Sequence, residues 1–262
     1  MKILGILALS FFLFSGCSTL VKTPDYAVSK NDAESGWAKV LKNNVDQDGW
    51  VDFETIQKNP KDLNDYVSFV VKKGPSNSPE MFTNDQDKLA FYINSYNALS
   101  MFNIIDSGIP YTNSGLKKVK FFVLKKIPIA GKVMSLKDYE DDTIRKVGDP
   151  RIHFALNCMA VGCPKLKQKP YDGKNLNQEL DNAARFFFLE ERNLRFDHDK
   201  KIAYVTEILD FFPQDFLKKA PTLVDFINLY SSVKIPSDYK LKYISYDWKV
   251  INQKFKEQKR LN

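Results

Sequence analysis

Apolar residues recur at helical spacing most strongly between Asn84 and Asp106, where Leu89, Tyr92, Ile93, Tyr96, Leu99, Met101, Phe102 and Ile105 mark a core helix that Gly108 and Pro110 stop. Asn94 and Asn97 are interleaved with this set, so at least one of them faces the interior and must find hydrogen bonds there. Similar periods mark helices from Ala33 (Trp37, Val40, Leu41), over Leu63–Val70, and over Leu176–Leu189, with Leu180, Ala183, Ala184 and Phe187 on one side. Trp50–Phe53 reads as a strand. Val119–Leu124 and Lys132–Leu136 read as two strands around Ile127–Gly131, and Lys137–Lys146 as a short helix. A strand follows Pro150 over Arg151–Leu156, and a second hairpin runs through Leu194–Phe196 and Ile202–Val205; the remainder reads as mainly helical. The pattern predicts a single α+β domain with helices packed around a small, mostly antiparallel sheet.

The amino end changes the picture. Lys2 precedes an apolar run from Ile3 to Phe14, too short for a comfortable membrane span, and Ser15-Gly16-Cys17 follows. This resembles a lipobox, with Phe14 where an aliphatic residue is usual. The resemblance implies removal of residues 1–16, acylation (diacylglycerol, palmitate) of the Cys17 thiol, and, from Ser18 in place of Asp, sorting to the outer membrane of a bacterial envelope. Polar residues 17–32 read as a tether and residues 33–262 as the globular domain.

With 44% apolar residues the chain can fill a sizeable core. Its net charge of +7 is scattered, apart from Lys254, Lys256, Lys259 and Arg260. No aromatic-interleaved basic motif accompanies that cluster, so no nucleic-acid partner is expected; the expected contact is with the membrane, through the lipid, and with an unnamed envelope substrate or protein. Asp46-x-Asp48-Gly49 lacks the ligand ladder of a calcium loop and reads as a turn. No cofactor and no metal is called for.

Once the lipobox takes Cys17, only Cys158 and Cys163 remain, close to His153 in the run Asp149–Pro164. A thiol beside an imidazole can serve nucleophilic catalysis, because the thiolate is the attacking species. The ring then needs an orienting partner, for which Glu140 and Asn97 are the candidates. Strand alternation would send His153 and Cys158 to opposite faces, so they meet only if the strand ends or bulges before Cys158. The same turn could bring Cys163 to His153. Three other readings stay open: a structural Cys158–Cys163 disulfide suited to an oxidising compartment, a thiol redox pair at a spacing longer than Cys-x-x-Cys, and a zinc site short of named ligands. His198, between Asp197 and Asp199, reads as exposed and idle.

Four separated segments carry a family resemblance: Ala90–Leu99, Ser135–Glu140, Asp149–Leu156 with Cys158 and Cys163-Pro164, and Tyr246-Asp247-Trp248. In this order they resemble the domain-of-unknown-function family 547, with Tyr92 where the family usually has Trp and Tyr139 where an aliphatic residue is common. The resemblance implies motif positions for Glu140, His153 and Cys158. Plant members tend to carry Ser at the position of Cys163, which implies that a disulfide is not obligatory and favours Cys158 as nucleophile. Two function classes remain: a cysteine hydrolase or acyltransferase, and a non-catalytic envelope binding or scaffold lipoprotein.

Overall fold

Helix Asp85–Asp106 runs through the middle of the protein, because 14 of its residues are buried and they lie on all sides of it. The computed structural model describes residues 18 to 258; the leader, Cys17, Lys259 and Arg260 lie outside the described residues. In chain order the elements are β1 (Thr19–Leu20), α1 (Lys30–Asn44), α2 (Phe53–Lys58), α3 (Lys61–Lys72), α4 (Asp85–Asp106) and α5 (Leu116–Val119). There follow β2 (Lys125–Ile129), β3 (Lys132–Met134), α6 (Leu136–Tyr139), α7 (Leu176–Phe188), β4 (Leu194–Asp197) and β5 (Ile202–Thr206). The chain continues with α8 (Ile208–Phe211), α9 (Pro213–Leu217), α10 (Leu223–Tyr230), β6 (Lys240–Ile244) and α11 (Gln253–Gln258). The class is α+β.

Its strands form two three-stranded sheets, β1-β2-β3 and β4-β5-β6, each an antiparallel hairpin with a third strand added in parallel. These are two mixed sheets and not one mostly antiparallel sheet: β1 is only two residues long, too short to show a period, and β6 leaves most of its side chains exposed. The first hairpin turns at Ala130-Gly131, both left-handed (φ 48° and 78°), so Ile127–Ile129 is strand and not turn. The apolar run expected as the preceding strand is helical: α5 widens into a π-helical turn over Lys120–Leu124. Short apolar runs satisfy either period, and here Phe121 is the only fully buried side chain of the run. Val51 makes only isolated bridges, and Asp52 caps α2 by accepting from the Thr55 amide.

Three asparagines of α4 clasp irregular chain. Asn94 donates to Tyr171 O (2.8 Å) and accepts from Tyr171 N–H (2.9 Å). Asn97 donates to Ala155 O (3.0 Å) and accepts from Asn157 N–H (2.7 Å), and Asn103 donates to Phe121 O (3.1 Å). A carboxamide suits this role because it offers donor and acceptor side by side. Residues 19–28, expected as tether, lie along the body: Val21 is buried, the Tyr26 amide donates to Ser68 Oγ, and Ser68 Oγ donates to Tyr26 O. Asp46 caps its own turn by accepting from the Asp48 and Trp50 amides, and Lys256 bridges Asp46 and Asp48.

Two apolar cores result. The larger packs α1, α3 and α4 against the first hairpin; the smaller gathers Phe187, Phe188, Phe216 and Phe226 around Phe154. The residues beside Phe154 in sequence, Ile152 and Ala155, belong to the larger core, so residues 150–154 lie on the seam between the two.

Candidate active site

The segment expected as strand Arg151–Leu156 is instead a 3-10 turn, Pro150–Phe154, started by Pro150 and by Asp149, which accepts from the Arg151 amide. Three residues per turn replace the two-residue alternation, so the expected separation of His153 from Cys158 by strand parity does not apply. Beyond the turn, Asn97 holds the backbone of Ala155 and Asn157. Asn157 in turn donates to Pro164 O (2.7 Å) and accepts from the Met159 amide (2.7 Å), which closes residues 157–164 into a tight loop.

That loop brings Cys158 and Cys163 together as free thiols with their sulfurs 2.9 Å apart. The Cys158 amide donates to Cys163 Sγ (3.0 Å), and the Tyr246 hydroxyl lies 2.9 Å from Cys163 Sγ and 3.3 Å from Cys158 Sγ. Residues 246–251 strap across the loop: Gly162 N–H donates to Asp247 O, Val161 N–H to Lys249 O and Ile251 N–H to Met159 O. Only glycine fits at position 162, since a Cβ there would stand 2.7 Å from the Tyr246 ring.

These contacts split the pair electrostatically. Burial opposes ionisation of Cys163, but hydrogen bonds from Cys158, Tyr246 and the backbone outweigh it and hold this thiol below its ordinary value. The hydrogen bond to Cys163, and then burial, push Cys158 well up. The pair loses its protons in two separate steps, and the amide and hydroxyl hydrogen bonds converge on Cys163 Sγ.

His153 is buried in the same neighbourhood, stacked on Phe212 (centroids 4.2 Å apart), with Nε2 2.9 Å from Asp215 Oδ2. Asp215 also accepts from Arg145 Nε (2.6 Å) and Lys218 Nζ (3.3 Å). Burial lowers the imidazole's basicity more than Asp215 raises it, while the hydrogen bond from His153, with that from Arg145, keeps Asp215 strongly acidic. With Arg145 balancing the carboxylate, the ring is neutral and donates through Nε2, which assigns Nδ1 as the basic nitrogen.

Glu140 begins the π-helical turn after α6 and accepts from the Tyr96 hydroxyl (2.9 Å). Burial pushes its carboxyl up to about 7, against the lowering by Tyr96. The geometry thus differs from the expected triad, since the partner of His153 is Asp215 and Glu140 stands apart from the ring with Tyr96. Asn97 spends both ends of its carboxamide on backbone and is a positioning residue for the loop.

Glu140, His153, Cys158, Cys163 and Tyr246 line one cleft of about 420 Å³, walled by Phe122, Phe211, Phe212 and Trp248 with Lys118 stacked over Trp248 (4.1 Å). The partner of His153 escapes a reading of the sequence, and the role of Tyr246 does so in part. Asp215, 62 positions from His153, carries no local signal, whereas Tyr246 stands in a quoted family motif. His198, in a turn, is exposed with Nδ1 2.7 Å from the Tyr239 hydroxyl. Among the described residues no cluster of three or more His, Cys, Asp or Glu is placed to hold a metal, and no helix is long and apolar enough to cross a membrane.

Residues 79–188 match the model of the family described as "Protein of unknown function, DUF547". The match supports the family read from the motifs and takes in Asn97, Glu140, His153, Cys158 and Cys163, while Asp215 and Tyr246 fall outside it. No curated protein and no solved structure matches the chain.

Proposed function

Taking the DUF547 match as premise, we propose that this protein is a cysteine-dependent hydrolase or acyltransferase of the bacterial envelope, held to the membrane by lipid on Cys17. One observation carries the catalytic part. Glu140, His153 and the loop that carries Cys158 and Cys163 arrive from three separate turns of the chain and line a single cleft.

In this reading the attacking sulfur is Cys163, in place of Cys158, because Cys163 is the sulfur that accepts hydrogen bonds from the Cys158 amide and Tyr246. The Cys163 thiolate attacks the carbonyl carbon of an ester, amide or thioester; a carbon–sulfur bond forms and the bond to the leaving group breaks. Glu140, poised near neutrality, protonates the departing group. Water then cleaves the acyl-enzyme, losing a proton to His153 Nδ1 while Asp215 holds the ring. A different nucleophile in place of water makes the same chemistry a transfer.

The sulfur separation of 2.9 Å favours a second reading, an oxidised Cys158–Cys163 pair in a binding or scaffold protein. Thiol titration of the exported protein decides between them. Two titratable thiols, one alkylated at a pH below the ordinary thiol range and lost in Cys163→Ser, support the enzyme; no titratable thiol before reduction sinks it. Lipid on Cys17 is read from the mass of the mature N-terminal peptide, and an unmodified cysteine there removes the anchor.

A further inference from the structure

Between Asp106 and Asp138 the chain holds seven lysines and no acidic residue. The middle of this stretch is α5 with its π-helical turn, which is held to the body through Phe121 and turns its other side outward. Residues 114–120 are all exposed, and only Phe121 is fully buried. Leu116, 88% exposed, is the most exposed large apolar side chain among the described residues. Val119 and Val123, also exposed, follow it at three- and four-residue intervals, so the three form a stripe. Lys117, Lys118 and Lys120 flank it. An aliphatic stripe bordered by lysines is the composition of a helix that lies in a membrane interface, its apolar side among the headgroups and its cations on anionic lipid.

Where the anchor emerges specifies the partner. β1 pairs in parallel with β2, Thr19 opposite Lys125, so the chain joins the body at the strand end that directly follows Leu124. Only Ser18 stands between Thr19 and Cys17, a span of at most about 7 Å of extended chain. Acyl chains on Cys17 would therefore enter the bilayer beside this helix. Leu20 and Val133, both exposed, extend the apolar surface, and the register puts them on the sheet face of Lys126 and Pro128, opposite buried Ile127 and Ile129.

We propose that α5, its π-helical turn and the outward face of β1-β2-β3 lie on an anionic lipid bilayer next to the acylated Cys17. The proposal rests on the lipid-anchor reading. Lys118, Val119, Phe122 and Val123 also line the cleft, so docking presents the cleft to amphiphiles held at the membrane surface.

The lipidated full-length protein, reconstituted into phosphatidylethanolamine and phosphatidylglycerol vesicles carrying brominated acyl chains, tests this with Leu116→Trp and Leu229→Trp variants; Leu229 is exposed on α10, the helix whose Phe226 and Ile227 belong to the other core. Emission added by Leu116→Trp should be quenched at least about threefold more than that added by Leu229→Trp, by analogy with interfacial helices. Equal quenching with lipid verified on Cys17 overturns the docking surface and leaves the anchor standing. An unmodified Cys17 sinks the anchor, and in that case vesicle binding by the same chain that salt and Leu116→Glu fail to weaken overturns the surface as well. Dimerisation in solution of the Cys17→Ser chain, abolished by Leu116→Glu, would assign the stripe to a second copy and overturn the proposal.

Discussion

The Tyr246 hydroxyl is 2.9 Å from Cys163 Sγ, and this contact joins a C-terminal strap to the thiol loop. Tyr246→Phe keeps the ring against Gly162 and deletes the donor. The pH at which the first thiol becomes alkylatable should rise, because a hydrogen bond to the thiolate is lost. Stability should fall by only about 1 kcal/mol. A pH series of iodoacetamide rates, beside a urea melt, checks both.

Gly162→Ala tests the close approach itself. A Cβ 2.7 Å from the Tyr246 ring must displace the ring or the loop, at a cost of about 1–3 kcal/mol in a urea melt. The thiol pH profile of this variant should move in the same direction as that of Tyr246→Phe.

Glu140 makes a prediction whose sign depends on pH. Its carboxyl is raised from 4.5 to about 7, so the folded state pays for the buried charge above about pH 7 and not below pH 4.5. Glu140→Gln, still able to accept from Tyr96, should therefore stabilise the protein at pH 8 by up to about 3 kcal/mol, with partial solvent screening reducing the gain. Near pH 4.5 the two proteins should melt alike. A stabilisation that is equal at both pH values would contradict the buried-charge account.

Asp215→Asn should lower stability at pH 7 by roughly 3 kcal/mol, because it strips the carboxylate shared by Arg145 and His153. Asp215 is held below its ordinary value, so its contribution exists above about pH 4 and drains away as the pH falls through the lowered folded value. The gap between variant and parent should accordingly narrow at pH 3. In an activity assay, loss of kcat with KM nearly unchanged would mark an effect on the base and not on binding.

Asn97→Ala removes a donor and an acceptor that serve Ala155 and Asn157, for a cost of roughly 2–4 kcal/mol. Asn97→Asp should do nearly as badly, since a carboxylate cannot donate to Ala155 O. Hydrogen exchange of the Asn157 and Met159 amides reports the loosened loop directly.

The parts of the fold legible in the sequence are those whose signal is local. α4, α7 and the β4-β5 hairpin follow from apolar spacing over a dozen residues, or from two short alternating runs. Where a short apolar run satisfies two periods, as at Val119–Leu124 and Arg151–Leu156, tertiary contacts decide, and both became helical turns. The candidate site divides the same way. Cys158, Cys163, His153 and Glu140 declare themselves by chemistry and motif and do share a cleft, but which group faces which is set by long-range pairing. Asp215 reaches His153 from a helix of the other core, and no spacing rule links them.

The strap has a consequence in time. Tyr246 follows Cys163 by 83 residues, and a chain is synthesised amino end first. Until the strap folds back, the two thiols lack both their cover and the hydroxyl that hydrogen-bonds to them, so, on the proposed export to an oxidising compartment, the emerging chain passes through an interval in which oxidation competes with folding. The fate of the sulfurs is then settled by which of the two is faster.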